Sequence, residues 1–148
     1  CPEINNVENL GSLIRTGTAL GYENFLLGPS CCDPYARRAL RTAMGATFSI
    51  NLVHSANLYS DLLRLKSNNF ELHAAVLAPS AVPLERAKIP HRLGLLFGSE
   101  AHGLAQQWQE LCDQHVTIPM FGGSDSLNIT VAAGILLYHY ARKRSEKT

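Results

Sequence analysis

The chain has 148 residues, 46% of them hydrophobic and 17% charged, with a net charge of +1. That length suits one domain, 1–148, with a sizeable core, and no apolar run approaches the ~20 residues that span a bilayer. A charge so near zero excludes binding to nucleic acid through overall charge, so such a partner would need a local basic patch.

The elements are legible in chain order. Leu10 to Leu20 reads as a helix that opens after an Asn and ends before Gly21, and Glu23 to Gly28 as a buried strand. Pro34 to Met44 is a second helix with its Pro in the first turn, followed by a weaker strand over Phe48 to Val53. Asn57 to Lys66 places Leu58, Leu62 and Leu65 on one helical face. Glu71 to Ala78, Arg92 to Gly98 and His115 to Pro119 are short apolar runs stopped by Gly or Pro, the pattern of buried strands. Gly103 to Cys112 leads as a helix to the last strand. Ser126 to Lys143 is the longest helix, and "RSEKT" is a frayed tail. Strand and helix alternation predicts an α/β domain with a largely parallel sheet flanked by helices.

Ligands of such sheets collect outside the carboxyl ends of the strands, where "LAPSAVP", "FGSEAHG" and "PMFGGSDS" form loops. No GxGxxG opens a helix, and neither a Walker-type loop nor a GxSxG elbow is present. A nucleotide-like ligand here would therefore not be held in the Rossmann or P-loop way. The four cysteines form no CxxC pair and stand at no zinc-site spacing from the six histidines, so buried thiols in a reducing cytoplasm, and no metal, are expected. No signal peptide is legible, and the first residue is Cys1.

Three segments carry a resemblance. "NVENLGSLIRT" (Asn6 to Thr16), "LGLLFGSEAHGL" with its G-x-E-x-x-G core at Gly98, Glu100 and Gly103, and "VTIPMFGGSDSLNITVAAGILLY" resemble the first, second and third motifs of the SpoU (TrmH-type) branch of the SPOUT RNA methyltransferases. "CCDPYARRALRTAMGA" matches that family's helix after the second strand, and the resemblance runs from Asn6 to about Arg142. It implies a C-terminal deep trefoil knot, S-adenosylmethionine as methyl donor, a homodimer, and methylation of a ribose 2′-hydroxyl in tRNA or rRNA. Only "CPEI" precedes Asn5, so the family's first strand is short or upstream residues are missing; no N-terminal RNA-binding extension is present in the chain as given. Two competitors remain at this point: a catalytically silent RNA-binding protein on the same fold, and a small-molecule-binding α/β domain. The m1G-type branch of the superfamily is more distant, because its guanine chemistry uses an acidic residue in a different motif.

The resemblance also assigns residues. Arg15 is the motif-one arginine; a guanidinium does not ordinarily act as a base, so its role is to bind substrate phosphate and stabilise charge on the 2′-oxygen, unless an unusual environment lets it take the proton. Its plain alternative is a surface or phosphate-binding arginine with no catalytic part. Asn9 either fixes that arginine and the substrate or simply caps the helix from Leu10 onward, or both. Glu100 steadies the cofactor loops and, across the dimer, Arg15; its plain alternative is an acid at a helix start. His102 is expected to be an exposed loop residue.

Ser126 and Asn128 join the catalytic set at the mouth of the last helix, within "GGSDSLNITVAAG", where Ala132, Ala133 and Gly134 keep the helix thin for packing against the dimer mate or the knot. The implied cofactor wall is Leu77, Ala78, Gly98, Gly103, Ile118, Met120, Ser126 and Leu127, whose apolar members could equally be core. For RNA, Arg37 and Arg41 share a helix face and would contact phosphates, as would Arg15. The cluster Arg142, Lys143 and Arg144 suits a helix end regardless of RNA, and Tyr35 is expected to be half-buried rather than stacked on a base.

Overall fold

The computed structural model describes residues 1–99, 102–122 and 126–146, the Arg144 side chain apart, and within them helices and strands alternate as expected. Helix α1 (Val7–Ala19) begins earlier than Leu10 because Asn6, not Asn9, caps it. The Asn6 side chain accepts the amides of Glu8 at 2.9 Å and Asn9 at 3.1 Å, satisfying two of the donors that a helix start leaves open. The capping alternative for Asn9 is thus corrected: it lies inside the first turn.

Strand β1 (Asn24–Leu27) leads to α2 (Arg37–Ala43), which is shorter than Pro34 to Met44. Pro34 is buried in the turn before it, and Met44 (φ 52°) and Gly45 (φ 84°) adopt left-handed backbone that ends it. The chain then makes a 3-10 turn over Ala46–Ser49 before β2 (Asn51–His54), so the weaker strand exists but starts beyond Phe48. There follow α3 (Leu58–Ser67), β3 (Glu71–Ala75), β4 (Val82–Pro83), β5 (Leu93–Leu96), α4 (Gln106–Leu111), β6 (Gln114–Thr117) and α5 (Ile129–Ser145).

All strand pairs are parallel, but they form two pieces: the pair β1–β2, and a four-stranded sheet in the order β4-β6-β3-β5. β3 is central, with Ala74 opposite Leu96 of β5 and Ala75 opposite Val116 of β6, so the three carboxyl ends emerge side by side. Its side chains alternate between two cores. Leu72 and Ala74 join Leu58, Leu62 and Leu111 of α3 and α4, whereas Ala75 packs on the cluster of Leu10, Leu13 and Ile14 from α1 with Leu136 and Tyr140 from α5. Burial on both faces is what an all-parallel sheet requires.

Helices α1 and α2 approach so closely that a Cβ on Gly11 would run into the carbonyl oxygen of Ala39 and sit 2.9 Å from Cβ of Thr42. Gly134 of α5 faces α1 of the same chain, with Thr16 Cγ2 3.5 Å from where its Cβ would be. α5 is apolar nearly all round: Ala133, Leu136, Leu137 and Tyr140 are buried, while Val131, Ile135 and Tyr138 remain exposed.

Candidate active site

A cleft of about 650 Å³ opens beyond the carboxyl ends of β3, β5 and β6, where an open α/β sheet places its ligands. After β3, Leu77 and Ala78 form one side. After β5, Gly98, Ser99 and Gly103 form the floor. After β6 come Ile118 and Met120, and then Ser126, Leu127 and Asn128 at the approach to α5. Every residue expected in the cofactor wall thus lines one cavity, although those residues lie on segments far apart in the chain. Its lining is mostly apolar with a few polar side chains, and its size falls within the usual 300–1,000 Å³ of small-molecule sites.

The loop after β5 is a tight reversal rather than the expected helix start at Gly103. Ser99 and Gly103 exchange two backbone hydrogen bonds of 2.9 Å, and Gly103 has φ 66°. A Cβ on Gly98 would collide with the carbonyl of Gly103 and the amide of Leu104. Both motif glycines are therefore demanded by the backbone: one by close approach, the other by left-handed φ. α4 begins only at Gln106. Exposed His102 donates its amide to Ser99 Oγ at 3.2 Å. Glu100 lies outside the described residues.

The mouth of α5 is one turn tighter than Ser126 to Lys143 implies. Asn128 Oδ1 accepts from the Thr130 amide at 2.9 Å and from its hydroxyl at 2.6 Å, so Asn128 caps the helix and Ser126 stands before it. Phe97, Gln109 and Leu136 also line the cleft, and sequence reasoning missed them. Phe97 immediately precedes the motif glycine and could have been found by that adjacency; Gln109 carried no signal.

The first motif is not brought to this cleft. Arg15 is exposed on α1, and neither it nor Asn9 is among the cleft-lining residues. Arg37 and Arg41 are exposed on α2, where Arg38 Nε lies 3.9 Å from Glu8 of α1. At the end of α5, Arg142 and Lys143 pair with Glu146 at 3.1 and 3.2 Å, which answers part of that cluster's charge locally. Tyr35 is half-buried as expected, 53% exposed, with its ring against that of Phe48. The four cysteines are free thiols, and burial pushes Cys112 up to about 12, leaving it protonated and unreactive at neutral pH.

Residues 1–138 match the SpoU rRNA Methylase family. The chain belongs to that family. It is similar to an uncharacterized tRNA/rRNA methyltransferase of Mycobacterium tuberculosis, 35% identical over 142 residues that cover 94% of this chain and 49% of that protein. It is also similar to the 23S rRNA (guanosine(2553)-2′-O)-methyltransferase of Bacillus subtilis, 34% identical over 131 residues, 88% of this chain and 52% of that one. Among solved structures, the AdoMet-bound rRNA methyltransferase from Sinorhizobium meliloti superposes with a TM-score of 0.86 at 28% identity, covering 96% of this chain and 54% of that one. The chain spans about half the length of these SpoU relatives. No helix among the described residues is long and apolar enough to cross a membrane.

Proposed function

We propose that this SpoU-family chain is the methyl-transfer domain of an S-adenosylmethionine-dependent RNA methyltransferase that modifies a ribose 2′-hydroxyl in tRNA or rRNA, acting as a cytoplasmic homodimer. The observation that carries this reading is the cleft, where the second and third motifs converge at the ends of β3, β5 and β6. Its residues fit the methyl donor: Leu77, Ile118, Met120 and Leu127 supply apolar walls for a purine ring, and the glycine backbone at Gly98 and Gly103 leaves room at the floor. The donor supplies an electrophilic methyl group on a sulfonium sulfur. Likeness to an AdoMet-bound neighbour supports the same choice. The deep trefoil knot near the C-terminus belongs to this reading through the family resemblance.

The chain's own residues then divide the work. The loops after β5 and β6 would hold the donor, and the capped start of α5 would place Asn128 and Ser126 beside it. Orientation of an acceptor oxygen in line with the methyl group can supply much of the acceleration. Arg15 would bind the substrate phosphate and stabilise charge growing on the 2′-oxygen, with Asn9 and Glu100 holding it in place. Because Arg15 and Asn9 stand outside the cleft of their own chain, we assign the site to two copies, the first motif of one completing the cleft of the other. Support for a second copy comes from Phe121, 96% exposed, and from exposed Ile135 and Tyr138, which line one hollow with it and with Ile118 of the cleft.

The test is transfer of labelled methyl groups from S-adenosylmethionine to total tRNA and to rRNA, by wild type and by Arg15→Ala. Incorporation by the wild type, lost in the variant, is expected. No incorporation into any RNA by a protein that binds the donor would sink the enzyme reading, undiminished activity of Arg15→Ala would sink the arginine's role, and a monomer by sedimentation would sink the composite site.

A further inference from the structure

The proposed chemistry leaves unused an aromatic patch formed by the segments on either side of α2. Tyr35 is 53% exposed, Met44 72% and Phe48 73%, and the two rings meet with centroids 6.5 Å apart and planes at 41°. Local backbone holds this patch outward. Asp33 Oδ1 accepts the Tyr35 amide at 2.9 Å, and the left-handed pair Met44 and Gly45 turns the chain so that the Phe48 amide donates to the Gly45 carbonyl at 3.1 Å. In the same 3-10 turn Thr47 is buried at 2% exposure while its neighbour Phe48 faces water.

The patch is flanked by positive charge. Arg37 and Arg41 are exposed and one turn apart on α2. Residues 29–56 carry three arginines against one aspartate, in a chain whose net charge is only +1. α1 runs alongside, Glu8 beside Arg38 and Gly11 against Ala39 and Thr42, and packs onto the 3-10 turn. This is the local basic surface that a near-neutral chain needs for RNA, combined with exposed rings.

We propose that Tyr35 and Phe48 form a stacking platform for unpaired bases of the RNA substrate, with Arg37 and Arg41 holding the intervening phosphates. The inference rests on the RNA methyltransferase reading and deepens it by naming single-stranded, unstacked nucleotides as what this face receives. Rings already in contact with each other leave no slot between them, so a base lies on an outer face. Paired A-form RNA hides its base faces, whereas loops and bulges offer them. Flanking guanidinium groups favour RNA over an apolar protein segment, which would gain nothing from them.

The experiment is fluorescence anisotropy of a labelled RNA hairpin with an unpaired loop, and of the same stem as a blunt duplex, across a salt series. Tyr35→Ala and Phe48→Ala should each weaken hairpin binding about tenfold, the usual loss when one aromatic–base stack is removed. Duplex binding, salt slope and melting temperature should stay as in the wild type, and Phe48→Tyr should bind normally. Arg41→Ala should instead lower the salt slope by about 0.7. A wild type that binds neither RNA overturns the RNA reading and the platform with it. A wild type that binds while both alanine variants match it overturns the platform alone, as does equal loss on hairpin and duplex. Alanine variants altered only in sedimentation would assign the patch to a second copy and overturn the platform as well.

Discussion

His73 Nδ1 lies 2.7 Å from the Tyr140 hydroxyl and ties the central strand to the last helix at a point with almost no exposed surface. Burial pushes the Tyr140 hydroxyl well above its ordinary value, so it keeps its proton and can donate to Nδ1. Burial also pushes His73 below its ordinary 6.5, against the pull of the Glu71 carboxylate 3.8 Å from Nε2. The pair is a neutral polar bolt between sheet and helix.

Removing half of that bolt should cost more than one ordinary hydrogen bond. Tyr140→Phe leaves Nδ1 buried without a donor, and a stability loss of about 1–3 kcal/mol is expected. Urea unfolding should show a lower midpoint with an unchanged slope, and a midpoint equal to that of the wild type would refute the pairing.

The same histidine sets an acid limit. Its folded pKa is depressed, so the unfolded chain binds the proton more readily. The stability it contributes is complete above 6.5 and is lost as pH falls through the lower, folded value. Unfolding free energies measured above and below 6.5 should decline on the acid side in the wild type. Replacing His73 with a residue that does not titrate should flatten that decline.

The two motif glycines should fail differently. Gly98→Ala places a Cβ against the Gly103 carbonyl and the Leu104 amide, so the loop must shift and S-adenosylmethionine binding by calorimetry should fall at least tenfold. Gly103→Ala meets nothing within 4 Å and suffers only its left-handed φ, about 1–2 kcal/mol of stability. Donor binding in Gly103→Ala should be closer to that of the wild type; the reverse ranking would contradict the steric account.

Asp113 clamps α3 to the sheet by accepting from Lys66 Nζ at 2.7 Å and from the Leu72 amide at 2.8 Å. Burial opposes its charge, but the Lys66 and Leu72 hydrogen bonds outweigh that and hold its carboxyl below the usual 3.8. Its contribution is therefore present above 3.8 and lost as pH falls through the folded value. Asp113→Ala should lose about 1–3 kcal/mol at neutral pH, because the Leu72 amide loses a partner. The gap from the wild type should close in acid, and a gap independent of pH would assign the loss to packing instead.

Much of the cleft was legible because it follows from local chemistry. Gly98 and Gly103 announce a backbone need, and short apolar runs ending at Ala78, Gly98 and Pro119 announce strand ends. Other features depended on competition that a linear pattern does not record. Asn6 and Asn9 are both good caps, and only the fold decides that Asn6 reaches two amides. β4 is two residues long and includes Pro83, below any periodic signal. Met44 ends α2 by a left-handed turn that few side chains favour. The contact of Tyr35 with Phe48 was unreadable because a helix separates the two in the chain. Arg15 carries a motif identity, yet its position outside the cleft is a matter of tertiary placement.

The cleft draws its walls from Ala75 through Leu136, across three strands that meet only when the whole sheet has paired. Strands β5 and β6 are joined through β3, which lies between them in the sheet, so the walls come together as the strands pair. Occupancy and global folding must then share one cooperative step, so any small molecule seated there acts as a brake on unfolding, by RT ln(1 + [L]/Kd). Long-range parallel pairing also forms slowly, and a newly made chain would be ligand-blind until its last third has joined the sheet. The lifetime of this domain under proteolysis should accordingly report how much of its donor pool is available.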